Sequence, residues 1–292
     1  MTAKPLYQHA GKSESYLSGK PRIPGRSKRL LITALVSVIF ALLIIRIVVS
    51  GAIDWPIMAG FFFHPAILDG LVMTLELTVL SMVSGIVLGT LLATMAISRY
   101  RVVNAAAMLY IWLFRGTPLL VQLIFWFNIA LVFPVVGAGG WQISVNVLIT
   151  PFVAAVLGLG LNEGAYMAEI VRAGLNAVDS GQTEAAHSIG LSRTKVMTLI
   201  VFPQALKIIT PPTANQIIGM LKNTSLVSVI GAQELLTKSE DIYARNFHVI
   251  ELLVVASIWY LILTTVASGL QYWLERHLDG KNTRNLLSET GV

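Results

Sequence analysis

Five ionisable side chains fall inside long apolar runs of this chain: Arg46, Glu76, Glu163, Glu169 and Lys222. Each costs on the order of a few kcal/mol at mid-bilayer unless it is paired, hydrated or able to reach the interface. The chemistry open to such groups is the binding or passage of a polar solute, and they do not weigh equally. Arg46 lies near the end of its run and can snorkel. Glu169 and Arg172 are three residues apart near a helix end, a spacing that suits a local ion pair. Glu163 sits deeper, in the run GLGLNEGAY from Gly158 to Tyr166, whose glycines loosen a helix and admit a neighbour or a solute. Asn162, Glu163 and Tyr166 are therefore candidate pathway residues, with a structural interhelical bond as the alternative role for Glu163. Lys222 opens LKNTSLVSVI, where Asn223, Thr224 and Ser225 add hydrogen-bonding groups. Polar backbone and side chains at membrane depth are tolerated beside protein or a wet cavity, which makes Lys222 to Ser225 the second candidate lining.

Catalytic chemistry finds no support. The histidines His9, His64, His187, His248 and His277 are scattered without metal-ligand spacing, and the chain has no cysteine. The single Gly-Lys-Ser, Gly11 to Ser13, has Leu6 where a phosphate-binding loop needs its first glycine. No catalytic, metal or cofactor site is expected, and if ATP powers transport here, the motor is another polypeptide.

The elements that must position these residues are membrane helices. Hydrophobic residues make up 55% of the chain and charged ones 12%, with a mean hydropathy of +0.73, far outside soluble usage. Several windows of about 20 residues carry one charge or none, long enough to cross as helices, and alternation at period two is absent, which argues against a barrel. Six spans are expected, at about 30–49, 70–97, 117–136, 147–170, 205–230 and 249–273. Residues 1–29 read as a disordered basic tail; the first apolar run is too long and too far from Met1 for a cleavable signal, so an uncleaved span is expected. Trp55 and Phe61 to Phe63 suit an interfacial belt. Gly85 and Gly89 have the small-xxx-small spacing of close helix approach. Residues 102–116 are expected along the interface, Gly137 to Trp141 in a turn, and a bend at Pro211 and Pro212.

Six spans put both termini on one side. With that side cytoplasmic, seventeen of the 21 Lys and Arg residues lie inside, against Lys238 and Arg245 outside, a positive-inside pattern. The net charge of +6 and pI near 9.6 then follow from topology and anionic lipid, without nucleic acid. The same topology places Gly181 to Pro203, GQTEAAHSIGLSRTKVMTLIVFP, in the cytoplasm. Its punctuation predicts two short helices: Asp179 or Ser180 caps the first, Gly190 supplies a left-handed end, and Ser192 caps the second. Ala185, Ala186 and Ile189 would form a small apolar face beside Glu184, with Pro203 at the start of the next helix.

Glu184-Ala185-Ala186, Gly190 after three residues, then nine residues, Ile200 and Phe202-Pro203 reproduce EAA-x3-G-x9-I-x-L-P, with Phe202 in place of leucine. This resembles the signature of the membrane-spanning subunits of ATP-binding-cassette (ABC) importers. Phe114 to Leu123 (FRGTPLLVQL), Gly164 to Gly174 (GAYMAEIVRAG), Gly181 to Ala186 and Leu221 to Gly231 (LKNTSLVSVIG) are similar to the polar amino acid uptake branch in particular. The similarity covers about residues 70–274. It implies an all-α polytopic bundle, a leading helix plus a five-helix type-1 importer permease core in a bacterial inner membrane. Residues 30–69 would be the leading helix and outer loop, 70–274 the permease domain, and 275–292 a cytoplasmic C-terminal tail.

The resemblance further implies that Glu184, Ala185, Ala186, Gly190 and Pro203 belong to a coupling hairpin seated on a cytoplasmic ATPase, with ATP and Mg held by that partner. It implies two ATPases, a second permease chain, identical or homologous, an external solute-binding protein and an amino acid substrate. A self-sufficient secondary transporter or channel is the alternative, distinguished by transport without an ATPase or binding protein.

Overall fold

The computed structural model describes residues 26–49, 51, 53–138 and 141–289, so the expected tail lies outside the described residues as far as residue 25. The chain divides into two units, Met1–Asp54 and Trp55–Val292. The first holds helix α1 (Arg26–Val49), with Arg46 exposed in its last turn beside Leu42, Ile45 and Val49.

The second unit is a helical bundle. Helix α2 (Trp55–Phe62) precedes α3 (Pro65–Ala96), which starts where a proline at the first position costs no hydrogen bond and His64 Nδ1 accepts from the Ala66 amide at 3.2 Å. Of the expected aromatic belt, Trp55 and Phe63 are exposed, whereas Phe61 and Phe62 pack around Ile67 and Leu252. Helices α4 (Arg101–Gly116) and α5 (Leu119–Phe127) meet at a bend of 103°. The chain then forms an antiparallel hairpin of β1 (Val135–Ala138) and β2 (Trp141–Ser144), registered Val135 to Ser144 and Val136 to Ile143.

After the single turn α6 (Val145–Leu148), α7 (Pro151–Asn176) starts at Pro151 with the Thr150 hydroxyl as its cap. Helices α8 (Ser180–Ser188) and α9 (Arg193–Val196) form the polar hairpin. A π-helical turn, Met197–Val201, joins α9 to α10 (Phe202–Asn223), which continues through Pro211 and Pro212 and ends in a 3-10 segment, Thr224–Ile230. Helix α11 (Leu235–Asn246) is amphipathic, and α12 (Val249–Glu289) completes the chain.

Among the described residues three helices are long and apolar enough to cross a membrane: α3, the continuous run Arg193–Ile230, and the Val249–His277 part of α12. The bent pair α4–α5 makes a fourth if it is one span. The expected span at 117–136 is thus not a straight helix, because Pro118 lacks an amide and breaks the ladder, and the segment meant to lie along the interface is the first half of the bent pair. Of the turn expected at 137–141, Gly137, Ala138 and Trp141 belong to the two hairpin strands, and residues 139–140 lie outside the described residues. Helix α7 has the length of a span but is diluted by Asn162, Glu163 and its glycines. The segment from 275 expected as a C-terminal tail is helical as far as Glu289.

The centre of the bundle is the seam between α3 and α7. A Cβ on Gly89 would stand 2.4 Å from Met167 Cβ, on Gly85 2.7 Å from Glu163 Cγ, on Gly160 2.3 Å from Ser84 Oγ, and on Gly164 2.8 Å from Leu88 Cδ2. Small residues on both helices bring the backbones together, as the Gly85/Gly89 spacing predicts. Gly158 does the same for α5, where Leu123 would lie 2.7 Å away.

Replacing Gly89 by leucine is expected to disrupt the seam. Overpacking costs about 1–3 kcal/mol or more, so the thermal midpoint of the purified chain in detergent should fall or its membrane accumulation fail. Gly269→Ala, whose Cβ meets nothing within 4 Å, is the control; equal behaviour of the two variants would contradict the seam.

Candidate functional site

Two features stand out in the second unit: a polar cavity and the α8–α9 hairpin. The cavity, of 540 Å³, is walled by three elements. The α4–α5 break supplies Arg115, Gly116, Thr117, Pro118 and Leu119; α7 supplies Asn162, Glu163 and Tyr166; α10 and the segment after it supply Gln216, Gly219, Asn223 and Leu226. Of the expected pathway residues, Asn162, Glu163, Tyr166 and Asn223 line it. Lys222, Thr224 and Ser225 do not: Lys222 is exposed elsewhere, Thr224 is fully buried with its hydroxyl donating to Leu221 O at 2.8 Å, and the Ser225 hydroxyl donates to Lys222 O at 2.7 Å.

Glu163 is 4% exposed. Gln216 hydrogen-bonds its carboxyl group, and its Oε1 has no partner among the described residues. Its Cγ lies where a Gly85 side chain would otherwise be, so the seam fixes its stem while its head faces the cavity. A buried carboxylate with an unmet oxygen has lost water without full replacement, a costly state that a cationic group would relieve.

Cationic character comes from the α4–α5 break, which lies against α7. Arg115 stacks over the Tyr166 ring at 5.3 Å, and its Nη1 is 4.0 Å from Glu169 Oε2. Glu169 is primarily engaged by Arg172, at 2.7 Å, the ion pair that the i,i+3 spacing predicts. Beside Arg115, α5 begins at Leu119 after Pro118 in the cap position, with no side-chain cap, so its first-turn amides and positive dipole end stand at the cavity wall.

Asn162 is a candidate solute contact in the sequence, yet its amide nitrogen is committed to protein, donating to Phe114 O at 3.0 Å and to Gln122 Oε1 at 3.2 Å. Arg115, Thr117 and Gln216 are cavity residues that the sequence reading did not single out. The available signal was Arg-Gly-Thr-Pro, a cation set against a helix breaker inside an apolar run.

The hairpin follows its punctuation closely. Asp179 Oδ1 accepts from the Gly181 amide at 2.6 Å, and Gly190 takes φ +83°. The Gly190 amide donates to His187 O at 2.9 Å and that of Leu191 to Ala186 O at 3.2 Å, closing the helix end. Ser192 occupies the second cap position but makes no side-chain cap bond. The expected apolar face divides: Ala186 is buried among Val196, Val201, Val178 and Leu191, whereas Ala185 and Ile189 are exposed with Glu184. Residues 185 and 189 share one helix face, four apart, while 186 is turned about 100° towards α9. Pro203 lies in the first turn of α10, just after the π turn; its ring would crowd the Leu199 carbonyl in a regular helix, and the wider turn relieves that. Among the described residues no group of three or more metal-ligating side chains gathers.

A helical membrane bundle with a polar cavity in its wall and a capped two-helix hairpin on one loop is the membrane-embedded component of a transport system. The chain belongs to the family described as binding-protein-dependent transport system inner membrane component, which matches residues 85–280. It is 41% identical over 273 residues to the arginine transport system permease protein ArgU of Corynebacterium glutamicum, covering 92% of this chain and 85% of the relative. It is 35% identical to the glutamine transport system permease protein GlnP of Escherichia coli, over 73% of this chain and 93% of the relative. A crystal structure of an amino acid ABC transporter with histidines superposes with a TM-score of 0.68 at 36% identity, over 77% of this chain and 99% of that one. The chain is therefore a multi-pass inner-membrane protein, an ABC importer permease subunit with the all-α type-1 fold.

Gly190→Val should strain the hairpin. A left-handed conformation costs a residue with a side chain about 1–2 kcal/mol, more with β-branching, so limited proteolysis should cut between 181 and 203 faster while membrane accumulation is unchanged. Protection equal to that of Gly190→Ala and the parent chain would deny the glycine its role.

Proposed function

We propose that this chain forms half of the translocation path of an amino acid importer and that its cavity binds the solute as a zwitterion. The observation that carries the reading is the buried Glu163 Oε1, without a partner among the described residues, in the same 540 Å³ cavity as Arg115 and the uncapped start of α5. Glu163 takes the cationic pole, an ammonium or a basic side chain. Arg115 and the α5 amides take the carboxylate, as broken-helix N-termini do in other transporters. Arginine is the first candidate solute, since the 41% identical relative is an arginine permease, with glutamine next.

The exposed face of α8, with Glu184, Ala185 and Ile189 beside the Gly190 turn, docks on a cytoplasmic ATPase subunit, with Ala186 and Pro203 fixing the hairpin to its helices. ATP and Mg are bound and hydrolysed there, and this chain is non-catalytic. A second permease chain completes the path, an external solute-binding protein delivers the amino acid, and both termini are cytoplasmic. Closure of the ATPases moves the hairpins and rocks the permease halves.

The test is reconstitution in proteoliposomes with the ATPase and binding protein, following L-arginine and L-glutamine. Uptake should require all components; uptake by this chain alone under an ion gradient would support a secondary transporter instead. Glu163→Gln should weaken solute binding to the permease about tenfold or more, given about 1.5–3 kcal/mol for a charge-assisted hydrogen bond, and most for L-arginine. Unaltered binding and uptake would remove Glu163 from the path. Gly190→Val should let ATP hydrolysis continue while uptake falls, and retained coupling would count against the docking role.

A further inference from the structure

The break between α4 and α5 poses a hydrogen-bonding problem with an unusual solution. In a continuous helix the Phe114 carbonyl would accept from the amide of residue 118, but residue 118 is proline and has none. The carbonyl is instead met by two side-chain amides, Gln122 Nε2 at 2.9 Å and Asn162 Nδ2 at 3.0 Å. Gln122 Nε2 also reaches Thr117 Oγ1 at 2.7 Å and Thr117 O at 3.2 Å, while the Thr117 hydroxyl donates to Leu113 O at 2.9 Å. Asn162 Nδ2 donates to Gln122 Oε1 at 3.2 Å, which ties the two amides together across α5 and α7. Gln122 is 7% exposed and Asn162 8%. The clamp therefore sits in a poorly hydrated setting where an unmet carbonyl costs about 1–3 kcal/mol.

We propose that Gln122 and Asn162 are positioning residues that set carboxylate selectivity. By holding the break from both sides, they fix where Arg115 and the first-turn amides of α5 stand relative to Glu163, the separation a solute must bridge. Neither residue needs to touch the solute to do this: their donors are spent on the α4–α5 backbone and on each other. Thr117 completes the clamp from within the break. The inference rests on the cavity being the solute site, and it adds that discrimination for a free α-carboxylate depends on residues whose donors are already spent on the protein.

The experiment uses the complete transporter in nanodiscs with Gln122→Met and Asn162→Leu, which keep bulk and remove the donors. Binding of L-arginine and L-glutamine is compared with that of their α-carboxamides, L-argininamide and L-glutaminamide, which lack the anionic pole. The parent should prefer the free acids, and each variant should lower the acid-to-amide ratio by about tenfold. The double variant should be no worse than the weaker single, because the residues act as one unit. A defect in general stability would weaken acids and amides alike and leave the ratio unchanged, which would overturn the proposal, as would unchanged binding of all four.

Glu163→Gln separates the two readings. If it also leaves binding intact, the cavity is not the solute site; if it weakens binding while the clamp variants keep the ratio, the clamp alone is refuted. The break can also be read without solute, because the chain has no cysteine and a Cβ on Gly116 meets nothing within 4 Å. In a Gly116→Cys background the rate of labelling by a water-soluble thiol reagent should change several-fold on Gln122→Met, and an identical rate would contradict a clamp. Should Asn162→Leu not accumulate, Thr117→Val, which removes the hydroxyl from the same clamp, carries the same expectations.

Discussion

The constraint on which the rest of this structure depends is the close approach of α3 and α7. In lipid, helices gain nothing from hiding apolar surface, so association rests on packing and on backbones that can come near each other. Here glycines on both sides permit it: Gly85 and Gly89 receive Glu163 and Met167, and Gly160 and Gly164 receive Ser84 and Leu88. One consequence is mechanical, since α7 becomes a fixed post. The other is chemical, since the stem of Glu163 is trapped against Gly85 and its carboxylate is held at the cavity wall without a full set of partners. The packing of the bundle and the placement of the Glu163 carboxyl group rest on the same contact.

The second constraint is that backbone groups at membrane depth must be satisfied within the protein. The sharp turn between α4 and α5 would leave carbonyls bare, and the side chains around it read as a response: Thr117 for Leu113, Gln122 and Asn162 for Phe114. Tyr110 adds a cross-brace, its hydroxyl donating to Leu161 O at 2.9 Å while its ring stacks on Phe114. Polar residues in an apolar segment thus have two distinct uses. Asn162 repairs backbone, whereas Glu163, the next residue and about 100° round the helix, faces the cavity with an unmet oxygen.

That distinction explains what could be read from the sequence. Features set by neighbours in the chain were legible: the Gly85/Gly89 seam, the Glu169–Arg172 pair, the Asp179 cap and the left-handed Gly190. The bent pair was not, because hydropathy averages over a window and residues 117–136 remain apolar throughout, hiding a break made by one missing amide. Nor could sequence tell which members of two polar clusters share a wall. Asn162, Glu163, Tyr166 and Asn223 meet at the cavity, while Lys222, Thr224 and Ser225 lie on other faces of their segment, a sorting fixed by how α10 and the 3-10 segment after it lie against α7. Arg115 escaped because it lay in a stretch expected along the interface.

The hairpin and the cavity are connected through covalent continuity. One arm of the hairpin leads back into α7, and from Asn176 to Glu163 there are about 20 Å of unbroken helix at the usual rise per residue. The other arm leads through the π turn into α10, which carries Gln216 and Gly219 on the facing cavity wall. A displacement of the hairpin as a unit would therefore reach both walls, and Gln216 hydrogen-bonds Glu163 across the gap between them. The third wall, the α4–α5 break, is tied to α7 by the Asn162 amide and by Tyr110, while Leu123 of α5 shares a core with Met220 of α10 and with Val227 after it. Glu163 and the break are thus held in register from the α7 side, where the Asn162 amide and the Tyr110 hydroxyl join the two.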